Sequence, residues 1–183
     1  KIAPGTADCS VGPAMSAAQC GQALANGIEL VKGLPGNALL LGEMGIGNTS
    51  PAALLTARLG GIDVAEVTGA GTGLDAAGIA RKTAVLREAL AANAGATAPL
   101  AVLAALGGFE IATMVGSVLQ AASERRVVVV DGFIASAASY GAYGVSVWAM
   151  TIAPIAVVAA LRETSILFAV LIGWLAFGER MTK

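Results

Sequence analysis

The chain has 183 residues, a net charge of −1 and no histidine, so the commonest general base and metal ligand is absent from any site it builds. Apolar residues make up 56% and charged residues only 13%, about half the share of an ordinary soluble domain. With no basic cluster and few aromatics, the chain offers no face for nucleic acid, and no nucleic-acid partner is expected.

In chain order, Pro13 to Lys32 has helical spacing. Ser16 is placed to cap a helix whose apolar stripe uses Ala17, Leu24, Ile28 and Val31, and Gly33 stops it. Asn37 to Leu41 reads as a buried strand. A glycine-rich loop, Gly42 to Ser50, then leads into a helix from Pro51 to Leu59, with Ser50 as its cap and Pro51 preset for the first helical position. Val64 to Val67 reads as a second strand, followed by a second glycine loop from Gly69 to Gly73. Asp75 caps a long helix to about Ala92. Asn93 to Pro99 is a small-residue linker, and helices are expected over Leu100 to Leu106 and Phe109 to Ser123. Arg126 to Val130 is the clearest strand, β-branched and bounded by Asp131-Gly132. Strands alternating with helices imply an α/β fold with three or four parallel strands and flanking helices, partial and Rossmann-like. Ligands of such sheets gather at the carboxyl ends of the strands.

The charge pattern changes after Asp131. Only Arg162 and Glu163 interrupt the run from Gly132 to Gly178. Residues 1–138 therefore read as an α/β core, and 139–183 as two apolar, membrane-type helical segments. Gly141 to Ile152 would end one span, Pro154 marks a connection, and Ile155 to Phe177 is long enough to cross a bilayer. Arg162 and Glu163 would face protein or water there. The alternative is a buried helical hairpin. The core is expected to be cytoplasmic, and the chain membrane-associated if the tail inserts. Cys9 and Cys20 fit no metal or redox spacing and are expected as reduced thiols. The chain opens at Lys1 without an initiator Met, so it is expected to begin inside a longer parent.

Chemistry points to the loops. In the first, Gly42-Glu43-Met44-Gly45-Ile46-Gly47-Asn48-Thr49-Ser50-Pro51, glycines let backbone approach a ligand, and the helix N-terminus favours an anion. Thr49 and Ser50 add hydroxyl donors. A phosphate fits; so does a tight turn with no ligand. The loop carries neither Gly-Lys-Ser/Thr nor G-x-G-x-x-G, so it is neither a P-loop nor a dinucleotide fingerprint. Glu43 would repel a phosphate, so its use lies elsewhere on a ligand: bonding a sugar, steadying a developing cation or accepting a proton. It could equally turn to solvent. The second loop, Thr68 to Asp75, repeats the pattern with Gly69, Gly71 and Gly73. Lys82, in the helix that follows, either reaches a phosphate or lies on a solvated face beside Arg81. Asp131 ends the best strand at the ligand edge, or simply forms an Asp-Gly turn.

Together these segments resemble the nicotinate-nucleotide–dimethylbenzimidazole phosphoribosyltransferase family. The matching stretches are Lys1-Ile2-Ala3-Pro4-Gly5-Thr6, Gly12-Pro13-Ala14-Met15, Gly42 to Ala52, Val67 to Leu74, Lys82, Gly107-Gly108-Phe109-Glu110 and Val130-Asp131-Gly132-Phe133, in the family's order. The resemblance implies transfer of phosphoribose from nicotinate mononucleotide to 5,6-dimethylbenzimidazole, giving α-ribazole 5′-phosphate. It implies no cofactor and no metal, and a homodimer. It places Glu43 at the reacting centre as the catalytic residue. It assigns Gly45, Gly47, Asn48, Thr49, Gly69, Gly71 and Gly73 to the nucleotide with Lys82 near it, and Ser50 and Asp131 join them as substrate-binding candidates from their places in the loop and at the strand end. Family members carry a benzimidazole-pocket region ahead of this segment and a Gly-Glu-Gly-Ser/Thr-Gly stretch behind it, whose Glu is the favoured catalytic base. Neither occurs here, so the chain alone is expected to be weak or inactive.

Tyr140-Gly141-Ala142-Tyr143 through Lys183 resembles the end of a drug/metabolite (EamA-type) transporter, carried by Ala153-Pro154-Ile155-Ala156, Ala159 to Ser165 and Gly173 to Thr182. Two rival readings follow. One is a transporter fragment held in the membrane, with too few helices to form a path. The other is an inactive fusion that keeps nucleotide binding alone.

Overall fold

A computed structural model describes residues 1–42 and 47–130. All of these lie in the compact unit Lys1–Ser146. Helix α1 spans Ala17–Lys32 and starts where expected. The Ser16 hydroxyl accepts from the Gln19 amide at 3.2 Å, while the Gln19 side chain accepts from the Ser16 amide at 2.9 Å. This reciprocal cap satisfies two donors that a helix start otherwise leaves bare. Strand β1, Ala38–Leu41, follows. Helices α2 (Thr49–Gly60), α3 (Val64–Val67), α4 (Ala76–Ala92), α5 (Pro99–Leu106) and α6 (Phe109–Ser123) lead to strand β2, Val127–Val130.

The two strands pair in parallel, Ala38 opposite Val127 through Leu41 opposite Val130. An α/β fold with a parallel sheet and flanking helices is therefore present, with two strands among the described residues. The register puts the carboxyl ends of β1 and β2 at one edge. Side chains alternate across the pair. Leu39 is buried with Val31 of α1 and Ala121 of α6, and Val128 and Leu41 pack against them. On the opposite face Leu40 and Val129, which pair with each other, are both exposed.

Val64–Val67 is a helical turn, not the strand expected from its two valines. The Asp63 carboxylate accepts from the Ala65 amide at 2.8 Å, and the Thr68 hydroxyl donates to the Val64 carbonyl at 2.6 Å. Val64 and Val67 are three apart, the spacing of a helical face, and Val64 is the buried member. The cap and that spacing outweigh β-branching.

The main core lies between α2, α5 and α6, with Leu54, Leu55, Val102, Leu103, Leu106 and Ile111 almost wholly buried. Arg58 on α2 donates to the carbonyls of Leu90, Ala94 and Ala96, closing the carboxyl end of α4. Asn93, buried in the expected linker, donates to the Cys9 carbonyl at 2.8 Å and ties the amino-terminal segment down. Burial pushes both the Cys9 and the Cys20 thiol up from the ordinary value. Among the described residues, no helix is long and apolar enough to cross a membrane. The membrane-type segments expected in 139–183 lie outside the described residues.

Candidate nucleotide-binding site

The first loop leaves β1 at Gly42 and re-enters the described structure at Gly47, whose φ of +93° takes the left-handed conformation that glycine tolerates best. Asn48 follows in the right-handed helical region (φ −73°, ψ −7°), so α2 begins at Thr49, one residue before the expected cap. Ser50 is thus helical rather than the cap, and Pro51 is the third residue of the helix. Its missing N–H costs nothing there, because first-turn amides have no intrahelical partner. The Asn48 side chain makes no cap hydrogen bond, so no side-chain oxygen from that position occupies the positive end of α2.

The second loop follows α3 instead of a strand. Gly71 and Gly73 have φ of +57° and +118°. The amides of Gly73 and Leu74 donate to the Ala70 carbonyl at 3.2 and 2.9 Å, closing the turn. Asp75 caps α4 as expected, accepting from the Gly78 amide at 2.7 Å. That carboxylate occupies the amino end of α4. Of the two helix ends expected to receive an anion, only α2 is left without an acidic cap.

The two loops meet through Lys82, half-buried on α4. Its Nζ donates to Thr49 Oγ1 at 2.8 Å and to the Gly69 carbonyl at 3.3 Å. Gly71 comes so close that a Cβ there would stand 3.3 Å from Thr49 Oγ1 and 3.8 Å from Lys82 Nζ. Loss of water on burial holds the Lys82 ammonium below its usual pKa. A partly desolvated ammonium, a hydroxyl and a helix N-terminus on glycine backbone form an arrangement suited to a phosphate.

Gly69, Gly71, Thr49 and Lys82 are therefore brought together, with Gly47, Asn48 and Ser50 beside them in the chain and Gly73 in the same loop as Gly71. Glu43, Gly45 and Asp131 lie outside the described residues. Arg81, next to Lys82, is exposed. Among the described residues, no group of acidic or thiol side chains is gathered to hold a metal.

The sequence profile of a family described as "Phosphoribosyltransferase" matches residues 1–160. The nicotinate-nucleotide–dimethylbenzimidazole phosphoribosyltransferase of Variovorax paradoxus is 71% identical over 138 residues, covering 75% of this chain and 40% of that protein. The chain belongs to this family. The Ralstonia nicotianae relative of the same name is 54% identical over 141 residues, again 75% of this chain and 40% of its own length. Two crystal structures from Thermus thermophilus superpose with TM-scores of 0.71 and 0.70, at 37% and 35% identity. Each covers 80% of this chain, and 45% and 44% of the respective solved chains. One is described as CobT, the other as nicotinate-nucleotide–dimethylbenzimidazole phosphoribosyltransferase. The chain thus spans well under half the length of these relatives. The family profile runs past Ala138 to residue 160, through part of the stretch set apart as a transporter-like tail, and none of these matches supports a transporter.

Proposed function

We propose that this chain carries the nucleotide-holding segment of an enzyme that transfers phosphoribose from nicotinate mononucleotide to 5,6-dimethylbenzimidazole, releasing nicotinate and forming α-ribazole 5′-phosphate. The observation that carries the reading is the Lys82 bridge between the two glycine loops, 2.8 Å from Thr49 and 3.3 Å from the Gly69 carbonyl. It occurs in a chain 71% identical over 138 residues to a relative of that name.

The chemistry suits such a site. The C1′–N bond to nicotinate breaks, and its electron pair leaves with the pyridine nitrogen. Positive charge builds on the sugar, an azole nitrogen attacks C1′, and the azole N–H proton passes to a base. The phosphate does not react. Held by Lys82, Thr49 and backbone amides, it is a handle whose binding energy orients the sugar. In this reading Glu43 steadies the cation through its carboxylate. Gly47, Ser50, Gly69, Gly71 and Gly73 shape the phosphate seat, and the sequence assigns Gly45 and Asp131 to the same substrate.

Nicotinate released from the mononucleotide in the presence of dimethylbenzimidazole tests the proposal. Release is expected to be weak from this chain, which lacks the stretch that carries the favoured base, to depend on both substrates, and to fall further in Glu43→Gln, as removal of a group that stabilises transition-state charge does. Full activity in that variant would remove Glu43 from the mechanism. Failure of the mononucleotide to bind would remove the substrate.

A further inference from the structure

We draw no further inference here: the strongest candidate, the exposed apolar sheet face of Leu40, Val127 and Val129 on the side away from α1 and α6, carries nothing because nothing among the described residues shows what covers it.

Discussion

Lys82 carries its charge where the fold has removed part of its water, and that burial lowers its pKa from the ordinary lysine value. A phosphate beside it favours the charged form, so binding should draw the pKa back up. In the empty protein, at pH values between the lowered folded pKa and the ordinary 10.5, the unfolded chain holds more protons than the folded one. Stability attributable to Lys82 therefore rises with pH across that window. Phosphate affinity runs the other way and falls as Lys82 loses its proton. Magnetic resonance titration of the Lys82 side chain should show a pKa below the usual lysine range that moves upward when phosphate is added. Lys82→Met, which keeps the stem and removes the charge, should weaken phosphate binding roughly tenfold or more. A titration that phosphate leaves untouched would detach Lys82 from the site. Some of this scale is legible in the sequence. Ser16 and Asp75 cap helices through partners three residues away, so a short window contains both halves of the interaction. The Lys82–Thr49 bond joins residues thirty-three positions apart, and a basic residue on an exposed-looking helix face gives no sign of it. Arg58 and Asn93 are equally silent, because the carbonyls they hold come from segments more than thirty residues away that tertiary packing brings to them.

Helices α1 and α6 pack closely, and the contact explains why the expected stripe on α1 is displaced. The buried positions are Cys20, Ala23, Gly27 and Val31, whereas Ala17 is exposed and Leu24 and Ile28 are half-buried. Only small residues fit at the crossing. A Cβ on Gly27 would stand 2.0 Å from the Thr113 carbonyl oxygen, and one on Gly116 would stand 2.1 Å from that of Leu24. The Ser117 hydroxyl, at the same crossing, donates to the Gly27 carbonyl at 3.3 Å. Periodicity of large apolar residues finds an ordinary helix face, but it passes over a seam made of glycine. Gly116→Ala should separate the two helices and destabilise the protein by about 3 kcal/mol, near the upper end for overpacking. At Gly21, in the interior of the same α1, an added Cβ would meet nothing within 4 Å. Gly21→Ala should instead stabilise by roughly 0.5–1 kcal/mol, since alanine loses less backbone freedom than glycine in a helix. Urea unfolding of the two variants gives opposite signs if the crossing is as close as described. Losses of equal size at both positions would show that the α1–α6 spacing is wrong. The valine pair at Val64 and Val67 misleads for a related reason: β-branching suggests a strand, while the Asp63 cap and the three-residue spacing impose a turn of helix.

Across the whole molecule, the parallel pairing of β1 with β2 sets the loop after β1 and the exit from β2 at one sheet edge, with α1 and α6 behind one face. The α/β class is legible in the β-branched run Arg126 to Val130 and in the long helical stretches Asp75 to Ala92 and Phe109 to Ser123, although the strand expected at Val64–Val67 is helix. The strand partners were not legible, since five helices intervene and parallel pairing leaves no local turn signal. The anion seat needs α2, α4 and the turn between Thr68 and Asp75, and the core residues that hold these elements lie between Met15 and Val115. All of them precede residue 160, where the family match ends. A chain ending at residue 160 should therefore bind inorganic phosphate with the affinity of the 183-residue chain and unfold at the same urea midpoint. Calorimetry and urea titration of the two lengths, side by side, measure both quantities. A lower midpoint with lost binding would make residues 161–183 part of the folding unit that carries the site. A lower midpoint with binding retained would make them part of its stability alone.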